Sequence, residues 1–419
     1  MIKNLIAVIG PTGVGKSKLA IELAQKFKGE IVNADSMQVY KGLDIITNKI
    51  SKDEMCGIRH CLMDEIDPLT ESFTVQDWTR NAIHQIQEIQ ERGKIPILVG
   101  GTHYYLQSIL TSELITSEST YISVNQVPVS QDIIEKVQNV LDKSRLEPND
   151  YAQELLELLK IVDPIMGNRW HPKDGRKIRR SLEVFHTTGS RQSDIIKRQK
   201  VNQKPRYRTC VVWPFVENKV LANRLDERID DMIDMGLVEE IKDFYNRVKK
   251  QGVDLDFTRG IFQAIGFKEF HDYLRSNEPK NFENGVELMK LHTRQYAKKQ
   301  ITWIKSKLIG RLKEEISIVS FDVSDLNEWE RISTKFKECV QDFLEGAHVS
   351  VLPFHLEDYK PLDTNILEWK QFTCEICHDK ITKKPRIFNG EHEWKSHLES
   401  RIHMRNAKKI DNTSYHNAS

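Results

Sequence analysis

Cysteine is scarce in this chain, six in 419 residues, which is too few for a disulfide scaffold and points to a reducing, cytosol-like compartment. Long apolar runs are missing as well. The longest are short stretches such as residues 5–9 and 95–99, far from the roughly 18 to 20 residues a membrane span needs, so no membrane association is expected. The opening residues offer neither a signal-type apolar region nor an Arg-rich transit segment, because they run straight into a glycine loop at Gly10. An excess of charge of one sign is absent overall, at a formal net +1, so composition alone singles out no partner. Neither an internal repeat nor a low-complexity tract occurs. Hydrophobic residues at 39% and aromatic residues at 8% with seven Trp exclude wholesale disorder, and the length implies roughly two or three domains.

The charge that is present is local. Residues 169–208 carry 13 Lys and Arg against 3 Asp and Glu, while residues 1–168 carry 16 against 23. Such a basic segment is a candidate phosphate-binding surface, although a solvated charged helix gives the same count.

The first hundred residues alternate strand and helix, which predicts an α/β fold with a parallel sheet. Residues 5–9 read as a buried strand, and Leu19, Leu23 and Phe27 mark a helix over 17–28 with Gly29 as its C′ residue. A strand over 30–33 follows. Trp78, Ala82, Ile86 and Ile89 mark a helix stopped by Gly93, and residues 95–99 form a strand ending in Gly100 and Gly101. Residues 112–130 read as a loop or insertion. Helical periodicity dominates from about 150 to 310, broken by a β-like run at 209–213, and 316–321 is a further strand. The expected organisation is a P-loop core over 1–150, a basic helical segment over 151–208, the rest of the core over 209–345, a linker at 346–370, a zinc module at 371–410 and a tail at 411–419.

Gly10-Pro11-Thr12-Gly13-Val14-Gly15-Lys16-Ser17 fits the phosphate-binding loop pattern in its required place, after an apolar strand and before a helix. The glycines turn backbone N–H groups toward a phosphate, the helix N-terminus adds partial positive charge, Lys16 neutralises anionic oxygen, and Ser17 can ligate Mg²⁺. The strand over 95–99 ends in Gly100-Gly101-Thr102, where a nucleotide hydrolase or kinase would carry a metal-binding Asp. An acid appears instead at Asp35, after the second strand. Ligands sit at the carboxyl ends of parallel strands, so Asp35, Thr102 and the glycine loop should converge on one crevice. Near the C-terminus, Cys374 and Cys377 are followed by His397 and His403, a donor set for a closed tetrahedral Zn²⁺ site. The 19 residues between the pairs exceed the spacing of the classical DNA-reading finger. Arg401, Arg405, Lys408 and Lys409 beside it favour a nucleic-acid partner. On these motifs alone two readings stand: a P-loop small-molecule kinase, and a zinc-finger RNA-binding protein whose P-loop has lost catalysis.

From GPTGVGKS through NADSMQVYKGLDIITNK, GKIPILVGGTHYYLQ, RKIRRSLEVFHTTG, NRLDERIDDMI, FQAIGFKEF and TRQYAKKQITWIK to the terminal finger, the chain resembles the eukaryotic, fungal-type tRNA dimethylallyltransferases, also called tRNA isopentenyltransferases. The resemblance covers nearly the whole chain. It implies transfer of a dimethylallyl group from dimethylallyl diphosphate to the N6 amine of the adenosine 3′ of the tRNA anticodon. On that resemblance Thr12 and Lys16 contact the diphosphate with Gly10, Pro11, Gly13, Val14 and Gly15, Ser17 helps hold Mg²⁺, and Arg228 acts as a clamp that Arg224 could share. Asp35 is the base for the amine. Ser36, Met37, Gln38, Thr102 and the 262–268 block with Phe262, Gln263 and Lys268 lie near the flipped base, and Arg176, Lys177, Arg179 and Arg180 hold the anticodon stem-loop. Spacing alone also allows Phe262 and Phe267 to be core residues and Arg228 to be a surface ion pair. A monomer is expected, cytoplasmic with access to the nucleus, and a mitochondrial pool is left open.

Overall fold

The structure, a computed structural model, describes residues 3–70, 73–111, 129–145, 147–201, 205–253, 255–309, 315–353, 370–379 and 383–416. The expected loop at 112–130 and linker at 346–370 fall largely outside them. Two compact units emerge, one of Met1–Leu114 with Gln203–Leu362 and one of Ile115–Asn202 with Asp363–Ser419.

The first unit is built on a parallel sheet, as the alternation predicts. Strand β1 (Asn4–Ile9) leads into helix α1 (Lys16–Phe27), then β2 (Gly29–Asn33), the short β3 (His60–Cys61), α2 (Val75–Glu91), β4 (Ile95–Gly100) and α3 (His103–Leu110). After the excursion into the second unit come β5 (Arg208–Phe215), α9 (Asn218–Asp234), α10 (Leu237–Lys250), α11 (His271–Ser276), α12 (Pro279–Trp303), β6 (Ser317–Asp322), α13 (Trp329–Leu344) and β7 (Ser350–Val351). The sheet order is β3-β2-β4-β1-β5-β6-β7, every pairing parallel. Strand β1 lies at its centre with both faces buried. Leu5, Ala7 and Ile9 enter one core cluster with Trp78, Ile86 and Ile109, while Ile6 and Val8 enter the other with Leu19, Leu23 and Phe336. A strand covered on both sides must be apolar throughout, which is why it reads as an unbroken run.

Three local expectations are corrected. Residues 350–351, placed in the linker, form the seventh strand. The left-handed residue ending α1 is Lys28 (φ 52°) rather than Gly29. Glycine is required at 29 for space: a Cβ there would lie 2.7 Å from Ile97 Cδ1. The core boundary expected at 150 falls instead near 114, because α4 (Gln131–Lys143) packs with α5 (Ala152–Val162) and α7 (Gly175–Thr188). Val137, Leu141, Leu155, Leu159, Ile178 and Leu182 form their shared core.

The second unit also holds α6 (Pro164–Arg169), α8 (Gln192–Val201), an antiparallel pair β8 (Gln371–His378) and β9 (Pro385–Asn389), α14 (Gly390–Leu398) and α15 (Arg401–His416). Gln371 Nε2 donates to the Trp170 carbonyl at 2.6 Å, and Lys173 pairs with Asp379 at 2.7 Å, so the expected zinc module and the basic segment belong to one unit.

Candidate functional site

The glycine loop joins β1 to α1 with Gly13 and Gly15 at φ 85° and 81°, left-handed values that only glycine adopts without cost. Gly10, Pro11 and the buried Val14 form its base, and Gly13, Gly15, Lys16 and Ser17 face a cavity of about 550 Å³ at the carboxyl ends of β1, β2 and β4. Lys16 Nζ donates to the Pro11 carbonyl at 2.7 Å. Burial lowers the lysine to about 8, against the opposing pull of Asp35 and with a further push from Arg228. Arg228, on α9, donates from Nη1 to Thr12 Oγ1 at 2.6 Å, while its buried Nε has no hydrogen-bond partner among the described residues. Burial lowers it to about 10, with Asp35 opposing, so it stays charged at neutral pH.

Asp35 follows β2 and opens onto the same cavity. Its residue surface is half-buried. Burial raises its carboxyl above the ordinary value, against the Met37 and Gln38 backbone N–H groups and the Lys16 and Arg228 charges. Its Oδ1 accepts the Met37 N–H at 2.9 Å. Asp35 is the only carboxylate among the described lining residues. Thr102 holds the turn: its Oγ1 accepts Ser36 N–H at 2.9 Å and its N–H donates to the Ala34 carbonyl at 3.2 Å. Here the missing metal-binding Asp finds its steric reason. A Cβ at Gly100 would collide with the Ala34 carbonyl, so the end of β4 admits no side chain.

Sequence reasoning overlooked Gln300. This side chain of α12 is 1% exposed; its Oε1 accepts Thr12 N–H at 3.0 Å and its Nε2 donates to the Gly101 carbonyl at 3.0 Å. One amide thus ties the glycine loop to the turn after β4. A polar residue on the apolar side of a helix was the available signal. Tyr296, one turn earlier, was also missed: its ring is partly exposed, but its hydroxyl lies against Thr102 and Gln300, and burial with the Asp35 charge pushes it above the ordinary phenol value.

Of the other expected residues, Ser36, Met37, Gln38 and Gln263 line the cavity, and Gln38 Nε2 donates to the Thr47 and Asn48 carbonyls at 3.1 and 3.0 Å. Lys268 is exposed outside the lining. Phe262 is corrected from a base contact to a core residue: it is buried against Phe244 and Phe267 at ring separations of 5.8 and 6.1 Å. Arg224 does not share the clamp, because it donates to the Val323 and Ser324 carbonyls after β6.

In the second unit, α7 presents Arg176, Lys177 and Arg180 to solvent; Lys177 pairs with Asp174 at 2.5 Å and Arg180 with Glu183 at 3.3 Å. Arg179 is corrected. It turns inward to the Leu141 carbonyl, to Ser144 Oγ at 2.9 Å and to Glu183 at 2.9 Å, capping the end of α4, and leaves the phosphate-binding set. The donor atoms of Cys374, Cys377, His397 and His403 all lie within 4.8 Å of one another. Cys374 Sγ and Cys377 Sγ stand 3.5 and 3.7 Å from His403 Nδ1, which is 3.2 Å from His397 Nε2. These are the edges a tetrahedron with metal–ligand bonds of about 2.0 to 2.3 Å would have, so the cluster fits a metal ion with soft donors. Asn406 Nδ2 donates to Cys377 Sγ at 3.3 Å, a supporting bond to a thiolate.

Residues 38–307 match the family model described as IPP transferase. The chain is 37% identical to the tRNA dimethylallyltransferase of Mus musculus over 425 residues, 97% of this chain and 86% of that protein. It is 35% identical to that of Saccharomyces cerevisiae, covering 98% and 93%. Among solved structures, a eukaryotic dimethylallyltransferase captured acting on tRNA superposes with a TM-score of 0.82 at 34% identity, covering 99% of both chains. The isopentenylpyrophosphate transferase of Bacillus halodurans gives 0.54 at 30% identity, covering 82% of this chain and 97% of that one. With the glycine loop, Asp35 and Arg228 facing one cavity and similarity running the length of the chain, this protein belongs to the IPP transferase family.

Proposed function

We propose that the chain transfers a dimethylallyl group from dimethylallyl diphosphate to the N6 amine of the adenosine 3′ of the anticodon in tRNA, acting as a monomer. The carrying observation is that Lys16, Arg228 and Asp35 face one cavity, two cations beside one carboxylate. The diphosphate is a leaving group. As the allylic C–O bond breaks, its electrons pass to the bridging oxygen, and the Lys16 ammonium, the Arg228 guanidinium and Thr12 meet the charge that develops there. Mg²⁺, for which Ser17 offers an exposed hydroxyl at the cavity, would add positive charge to the same oxygens. The N6 lone pair, delocalised into the purine, forms the new C–N bond while Asp35 takes the proton. Burial that raises the Asp35 carboxyl makes it a better acceptor. Thr102 and Gln300 keep the two loops in register.

The adenosine has to leave its stack to reach this cavity, at a cost of a few kcal/mol. Met37, Gln38 and Gln263 on the cavity wall are its neighbours, Lys268 stands further out, and Arg176, Lys177 and Arg180 hold phosphates of the anticodon arm. The four-residue Cys and His cluster holds Zn²⁺ as a structural ion. The kinase reading is not favoured: the end of β4 has no room for a metal-binding Asp.

Incubation with radiolabelled dimethylallyl diphosphate and tRNA tests the proposal. Label in the RNA is expected; transfer of a γ-phosphate from ATP to a small acceptor, with unlabelled RNA, would refute it.

A further inference from the structure

The diphosphate loop is backed by a side chain outside every motif considered so far. Trp329 opens α13 and is 6% exposed. The outer edge of its ring backs Gly15: a Cβ there would come within 3.0 Å of both Cη2 and Cζ3. Nε1 donates to Glu22 Oε1 on α1 at 2.7 Å, and Lys337, two turns along α13, meets the other oxygen of that carboxylate at 2.6 Å. Lys18, which lines the cavity, holds its Nζ 4.8 Å from the centre of the Trp329 ring. One indole therefore touches the last loop residue, the body of the following helix and a second cavity lysine.

We propose that Trp329 is a positioning residue for the diphosphate, fixing Gly15 and the first turn of α1 and holding the Lys18 ammonium at the cavity rim as an additional cation for the leaving group. The inference rests on the diphosphate reading above. A loop glycine at φ 81° has a shallow conformational minimum, and a rigid ring against it removes the freedom to drift. Placement matters because N–H groups and cations aimed at developing charge lose most of their effect when displaced by about 1 Å. The ring whose edge backs Gly15 also attracts the Lys18 ammonium through its face, which keeps a long side chain near the phosphate.

The test measures inorganic diphosphate binding by calorimetry, and KM and kcat for donor and tRNA, in the full-length chain. Trp329→Leu is expected to weaken diphosphate binding and raise the donor KM about tenfold, with the tRNA KM unchanged. Trp329→Phe, which keeps an aromatic face for Lys18 but withdraws the ring edge from Gly15 and loses the Glu22 hydrogen bond, should fall between the parent and Trp329→Leu in diphosphate affinity. Lys18→Met, a surface change that leaves the fold alone, should weaken diphosphate about three- to fivefold. If both Trp329→Leu and Lys18→Met bind diphosphate as the parent does, and Trp329→Leu only melts earlier, Trp329 is a core residue and the inference is wrong. A parent chain that does not bind diphosphate would instead overturn the proposed function, and the inference with it.

Discussion

Replacing Asp35 by Asn is the most informative single change at the site. Asn keeps the Oδ1 that accepts the Met37 N–H at 2.9 Å, so the turn after β2 should hold its shape. What is lost is the proton acceptor and one negative charge between Lys16 and Arg228. Loss of a general base lowers turnover by about 10² to 10⁴, which corresponds to roughly 3 to 5.5 kcal/mol in the barrier. Loss of the charge acts the other way on the donor, because a carboxylate beside an anion site repels diphosphate. Donor affinity should therefore hold or improve at neutral pH, and tRNA affinity should be unchanged. The pH profile separates the two effects. Asp35 works deprotonated and burial raises its carboxyl, so the parent's kcat should fall as pH drops through that raised value, and the Asn variant should lose this limb. Single-turnover assays with saturating tRNA give kcat, and filter binding gives the affinity. Turnover within tenfold of the parent, or an acid limb that survives, would remove Asp35 from the base role.

Because burial holds Lys16 at about 8, kcat/KM for the donor should decline above that pH as the ammonium is lost, while kcat holds to higher pH because bound diphosphate favours the charged form; a kcat/KM flat well above pH 8 would contradict this. Gln300→Ala leaves the Thr12 N–H and Gly101 carbonyl unpaired and should cost on the order of 2 to 4 kcal/mol, read as a lower Tm with a raised donor KM; an unchanged donor KM would make Gln300 a purely structural link. Arg180→Ala should reduce the salt dependence of tRNA binding by up to about one unit, whereas Arg179→Ala should lower Tm and leave that slope alone; the reverse pattern would return Arg179 to the RNA surface. Cys374→Ser should lose bound zinc by metal analysis and weaken tRNA binding, with chemistry retained at saturating tRNA; total loss of activity there would make the cluster part of the catalytic fold.

Much of this site is legible in the sequence because the residues that shape it are constrained locally. A phosphate loop needs glycines at fixed offsets, and a buried parallel strand needs an apolar run. The parallel core, the glycine loop, Asp35 at a strand end and the Cys/His cluster all follow from such short-range rules. Long-range partners do not. Nothing near Gln300 in the chain says that its amide bridges Thr12 and Gly101, and nothing near Trp329 says that it backs Gly15. The basic run showed the same limit: Arg176, Arg179 and Arg180 look alike on a helical stretch, and only the position of α4 turns Arg179 inward. Phe262 likewise required the tertiary structure, since the ring that could stack on a base packs on Phe244 instead.

The most direct check is to incubate the chain with unmodified tRNA, dimethylallyl diphosphate and Mg²⁺, digest the RNA to nucleosides and weigh them. One five-carbon adduct on adenosine for each diphosphate released is the expected result. Adenosine that stays unalkylated while the same cavity consumes ATP would mean that the loop splits nucleotides and that Asp35 deprotonates no purine.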